Sequence, residues 1–186
     1  MGDMGTLAFD QGSGSGLSTI DDKMPSAYEE SWDVVTSASA IPGGTGGDNM
    51  FHYTTSSLMD GVKVSASYTP SSGGTASIES SSDYGVEYTG IDGLTVGIAM
   101  GENNLKAATL DLTSMYARYA MDAFTVGITT SESDSETASA DKEFTAMGIS
   151  YAVSENLSIS YGEHEVDLGS STSDQKSSGI SASYTM

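Results

Sequence analysis

Leu94-Thr95-Val96-Gly97-Ile98-Ala99-Met100 decides the fold of this chain. Large apolar residues occupy every second position, with small or polar ones between them. Successive side chains of a strand point to opposite faces, so the stretch reads as a strand with one apolar face and one small, polar face. The same alternation returns in Val62-Lys63-Val64-Ser65-Ala66-Ser67-Tyr68, in Tyr84, Val86 and Tyr88, and in Phe124, Val126 and Ile128. Met147, Ile149, Tyr151 and Val153 continue it, as do Leu157, Ile159 and Tyr161, then Ile180, Ala182, Tyr184 and Met186. Strands are expected near 4–9, 49–55, 62–69, 82–90, 94–101, 107–120, 123–131, 142–153, 157–165 and 177–186.

The connections fall into two kinds. Leu58-Met59-Asp60-Gly61, Ile91-Asp92-Gly93, Met121-Asp122-Ala123 and Ser154-Glu155-Asn156 are short turns, the first two with Asp-Gly chemistry suited to tight hairpins. Between them lie longer runs rich in Ser, Thr, Asp and Glu: 70–82, 101–106, 131–141 and 167–176. Short turns at one end of a sheet and long polar loops at the other describe an up-and-down meander, with the asymmetry of outer-membrane barrels.

Composition alone points elsewhere. Leu, Ile, Val and Phe make up 31 of 186 residues, and the formal net charge is −20. Few large apolar residues with high net charge are the marks of disorder, but a disordered acidic tail would not repeat a strand pattern along its length. The charge excludes nucleic acid as a partner, because the chain repels phosphate. With no Cys, disulfide frameworks, thiolate metal sites and cysteine nucleophiles are excluded too. No apolar run is long enough for a transmembrane helix, and Met1-Gly2-Asp3-Met4-Gly5 lacks the basic and apolar regions of a signal peptide.

A soluble sandwich would pack the apolar face against a second sheet. A barrel in lipid would turn it outward and line its lumen with the small polar face, and only half of each strand then needs to be apolar. The composition favours the barrel, an all-β antiparallel transmembrane fold in one domain over residues 1–186. Tyr68, Tyr84, Tyr119, Phe144, Tyr151, Tyr161 and Tyr184 lie near strand ends, where amphipathic rings suit the headgroup interface. One strand is out of phase: Leu110 and Leu112 share a parity with Tyr116 and Arg118, while Met115, Ala117 and Tyr119 form the other set. Arg118 in lipid would cost up to ~2–4 kcal/mol at the midplane. A bulge near Thr113 or Ser114 would turn it into the lumen with both apolar sets outside; otherwise it lies near the interface and snorkels.

Residues 11–48 fit neither pattern, and a connection of that length is usually functional. It contains Asp21-Asp22-Lys23-Met24-Pro25-Ser26-Ala27-Tyr28-Glu29-Glu30-Ser31-Trp32-Asp33. Ser26 followed by Glu29 reads as a capping box, predicting one or two helical turns from Ala27 to about Val34. Trp32 and the pair Val34-Val35 ask for burial against something.

This stretch, with Gly2-Asp3-Met4-Gly5-Thr6-Leu7 before it, resembles the strand and third loop of general diffusion porins of Gram-negative bacteria, closest to the alphaproteobacterial type. The hairpins at Gly61–Tyr68 and Gly93–Ile98 are similar to later strands of such barrels. The resemblance implies a sixteen-stranded, water-filled trimeric barrel in the outer membrane, whose inward-folded third loop narrows the pore for passive diffusion of small hydrophilic solutes and ions. It further implies that Asp21, Asp22, Glu29, Glu30 and Asp33 form the acidic side of the constriction, facing basic groups on the wall, here Lys63 and Arg118. Some relatives bind calcium at the loop, which would fall to Asp21 and Asp22, since clustered oxygens suit that hard cation. About ten strands are legible, so the chain is expected to be an internal fragment whose sheet stays open at the strands holding Leu7 and Ile180.

Other chemistry is sparse. His52 and His164 both lie on polar parity of separate strands, which predicts lumen-facing side chains, not a zinc or catalytic pair. Glu163-His164-Glu165 precedes an acidic loop and reads as a solvated strand end. The glycine run at 43–49 resembles a calcium repeat but occurs once. No nucleophile elbow, phosphate loop or dinucleotide fingerprint is present, and no enzyme is expected. The alternative function is a secreted or surface-anchored acidic β-structure for adhesion or matrix contact.

Overall fold

The computed structural model describes residues 5–11, 17, 20, 23–27, 30–31, 48–55, 59–71, 78–106, 108–136, 141–169 and 174–185. They form one antiparallel sheet of ten strands whose spatial order is the sequence order. The strands are β1 (Thr6–Gln11), β2 (Asp48–Thr54), β3 (Val62–Thr69), β4 (Ile78–Ile91), β5 (Leu94–Leu105), β6 (Thr109–Met121), β7 (Phe124–Ser135), β8 (Lys142–Ala152), β9 (Leu157–Asp167) and β10 (Gln175–Tyr184). Every expected strand is present, and β1 and β10 do not pair, so the sheet is open.

Several strands run further than the apolar alternation reaches. β4 starts at Ile78, β5 continues to Leu105 and β7 to Ser135. The ladder bonds do not require apolar side chains, so Ser, Asp and Glu extend the hairpins beyond the apolar belt. Much of the negative charge gathers at this end: Glu102 pairs with Asp111 and Asp111 with Asp134. Like charges directly opposite are unfavourable, which is tolerable only where water and ions reach them.

At the other end the chain reverses within two or three residues. Gly61 and Gly93 adopt φ of 74° and 73°, and Asp122 takes φ of 52° at the turn that has no glycine. Asp tolerates this left-handed conformation better than most residues.

The outer face is apolar and uncovered. Val86, Ile98, Met115, Val126, Ile128, Met147, Ile149 and Ile159 are all exposed. A soluble sheet would bury this row under another layer, and none lies over it among the described residues. Phe124 stacks on Tyr151 with centroids 4.4 Å apart beside the short turns, as expected of an interfacial pair.

The inner face corrects three expectations. β6 pairs without a register break from Leu110 to Tyr119 on both sides, so there is no bulge at Thr113 or Ser114. Strand parity alone turns Arg118 inward, and it carries Leu110, Leu112 and Tyr116 inward as well. Phe144 is not an interfacial ring: it is 1% exposed on the inner face, packed with Met24, Ala146 and Val166. The predicted helix from Ala27 is not seen either, since Ala27 lies in a bend, Glu30 is irregular and Ser31 lies in a turn. The rest of that helix, with Trp32 and Val34-Val35, falls outside the described residues, as does the glycine run over 43–47.

Candidate functional site

The inner apolar residues have a partner, the connection between β1 and β2. Leu17 and Ile20, both buried, pack on Ala99, Leu112 and Tyr116. Met24 fills the second cluster with Phe144. The described residues of the long loop therefore lie on the sheet's inner face, where Leu17, Ile20 and Met24 meet the inward Leu, Tyr and Phe of the wall.

Polar contacts tie the same segment down. Lys23 Nζ donates to Glu87 Oε2 at 2.9 Å, with both side chains 27% exposed. Tyr116 Oη donates to the same oxygen at 2.5 Å, and the Lys23 ammonium stands 5.3 Å from the Tyr116 ring centroid, a cation–π distance. Further along, the Ala27 N–H donates to Ser160 Oγ at 2.9 Å, and Ser160 shares a 2.7 Å hydrogen bond with Ser181. Ser31 Oγ and His164 Nδ1 are 3.1 Å apart.

Cross-strand register explains the alignment. Lys63 pairs with Glu87, Glu87 with Gly97, and Gly97 with Tyr116. The row continues through Thr129, Ala146, His164 and Ser177. Lys23 meets this row at one end and Ser31 meets it near the other, so the loop crosses the strands instead of following one.

Of the residues implied as the constriction, Lys63 and Arg118 lie on the inner face and are exposed. Lys63 shares a cavity of about 170 Å³ with Ile20, Lys23, His52, Glu87 and Tyr116. Glu30 sits in a small recess with Pro25, Ser31, Gly148, Ser160 and Gly162. Asp21, Asp22, Glu29 and Asp33 lie outside the described residues, and the calcium expectation at Asp21 and Asp22 with them. Both histidines face inward, and His164 is buried. Glu163 and Glu165 point to the other face, so the triplet does not converge on a metal.

Lys23, Glu87 and Tyr116 were not singled out from the sequence. The available signal was parity, since Glu87 alternates with Val86 and Tyr88 and so faces inward. The direction of the pair is unexpected: a loop cation meets a wall carboxylate, the reverse of the implied acidic loop facing a basic wall.

An apolar face toward lipid, a small and polar face inside, and a loop seated on that inner face define the class of outer-membrane β-barrel channels. The chain belongs to the Gram-negative porin family, which it matches over residues 1–186. Membership places it in the outer membrane, which it crosses with strands. Among solved structures it is similar to one described under the words asymmetric conductivity of engineered proteins, with 24% identity and a TM-score of 0.54. That match covers 73% of this chain and 43% of that one, so the chain spans less than half of its length. It is also similar to OmpT, folded in vitro, an outer membrane protein of Vibrio cholerae, with 14% identity, a TM-score of 0.51 and coverage of 97% and 76%. At these identities the likeness concerns the fold alone. No curated protein matches the chain. Family membership points to the channel class and not to the adhesion alternative.

Proposed function

We propose that the protein forms a water-filled pore for passive diffusion of small hydrophilic solutes and ions, without catalysis, and assembles as a homotrimer at full length. The observation that carries this reading is the set of described loop residues, Leu17, Ile20, Lys23 to Ala27 and Ser31, fastened across the polar inner face of a membrane sheet. A loop there narrows the passage without closing it, and solute selection becomes a matter of width and charge.

The same reading gives a weak to moderate cation preference. The chain is acidic overall, and Asp21, Asp22, Glu29, Glu30 and Asp33 bring carboxylates to the loop. A charged cleft with low-dielectric walls concentrates counter-ions, and carboxylate rings favour cations. Lys63 and Arg118 oppose that preference. Reversal potential of the full-length protein in planar bilayers under a KCl gradient tests it. Neutralising Glu29, Glu30 and Asp33 to Gln, Gln and Asn shifts the potential toward anions, more at low salt than at high. Unchanged potential and conductance at about 0.1 M salt, where the Debye length is ~10 Å, place those carboxylates outside the constriction.

A further inference from the structure

The loop lies close against the wall over a row of glycines. Gly127 pairs with Gly148, Gly148 with Gly162, and Gly162 with Gly179, one on each strand from β7 to β10 and all facing inward. Glycine weakens a strand interior, and an unbroken row over neighbouring strands points to a close approach by another part of the chain. Here the approaching part is visible. A Cβ on Gly127 would fall 2.7 Å from Pro25 Cδ and 3.1 Å from Met24 Cε. On Gly148 it would fall 3.0 Å from the Pro25 carbonyl oxygen, on Gly162 3.5 Å from Ser31 Cβ, and on Gly179 3.7 Å from Ser31 Cα.

We propose that this glycine row is the seat of the loop and sets the free width of the pore. The missing side chains let this part of the loop, at Met24, Pro25 and Ser31, rest on the wall backbone. A side chain added beneath it lifts the segment into the passage. Sliding sideways is opposed at both ends, by Lys23 on Glu87 at 2.9 Å and by Ser31 on His164 at 3.1 Å. Added volume is therefore converted into loss of lumen. This rests on reading the protein as a diffusion channel.

The test uses the full-length protein, with single-channel conductance in planar bilayers and liposome swelling in sugars of graded size. Conductance and the size limit fall most in Gly127→Ala and less in Gly148→Ala. Gly162→Ala and Gly179→Ala stay at wild-type values, because their contacts are ordinary van der Waals distances. Gly85→Ala, on the same face but bordered by Ser65 and Ala99, also stays unchanged. Adding Pro25→Gly to Gly127→Ala removes the ring that the new methyl meets and restores conductance, a rescue that a purely structural role for Gly127 would not give. If Gly127→Ala does not fold, Gly148→Ala and Gly179→Leu carry the comparison, both with reduced conductance. Wild-type conductance in folded Gly127→Ala or Gly148→Ala, or equal loss in Gly85→Ala, overturns the proposal. A wild-type protein that passes no current overturns the channel reading, and this proposal with it.

Discussion

Glu87 Oε2 accepts from two donors, the Lys23 ammonium and the Tyr116 hydroxyl. One carboxylate thus joins loop to wall, and hydrogen bonds to charged groups contribute about 1.5–3 kcal/mol each. Partial exposure of the ion pair brings its share toward the lower end, since water screens it. Glu87→Gln keeps a carbonyl for one donor and removes the charge. Lys23 is then freed first, so its acetylation by an amine-directed reagent in the folded protein becomes faster and open-channel current noisier. Lys63→Gln leaves the Lys23–Glu87 hydrogen bond in place and is expected to do neither. Unchanged Lys23 reactivity in Glu87→Gln would show that the loop is held elsewhere.

At the scale of the element, β6 shows what alternation does and does not reveal. Its pattern tells that Leu110, Leu112, Tyr116 and Arg118 share one face, and the structure agrees. Periodicity does not say what covers that face. With lipid as the only apolar environment in view, Leu112 on the inner side looks like a phase error and invites a bulge. The missing information was a contact with Leu17 and Ile20, roughly ninety residues away in sequence. Phe144 was misplaced for the same reason, because a ring near a strand end reads as interfacial unless Met24 is known to lie over it. The strands themselves were legible from pattern, whereas the reach of β4, β5 and β7 was not, since polar residues pair in a ladder without leaving a periodic trace. Leu112→Ala, at 4% exposure, is expected to cost about 2–5 kcal/mol, and to take it from loop docking more than from the sheet. Limited proteolysis then cuts within the loop sooner than in wild type while the strand content by circular dichroism is retained. Loss of both together would tie Leu112 to the sheet itself.

At the scale of the whole molecule, β1 and β10 are strand edges without a partner among the described residues. Unpaired edges offer their backbone groups to any other strand, and lipid supplies no substitute partners. Expressed alone, the chain is expected to elute from detergent gel filtration as a broad set of aggregates. A monodisperse, heat-resistant trimer made from it would contradict the open sheet.

The seated loop also has a mechanical meaning. A sheet resists pulling along its strands but peels readily from an edge, one ladder at a time. Here a single segment touches β4 through Lys23, β6 through Leu17 and Ile20, β7 and β8 through Pro25, and β9 and β10 through Ser31. It runs as a cross-member over these strands. A strand in such a wall cannot leave without also breaking contacts that belong to its neighbours. The contacts proposed to set the width of the passage thus also brace the wall against unravelling, and a wider pore made by removing them is expected to be a weaker one.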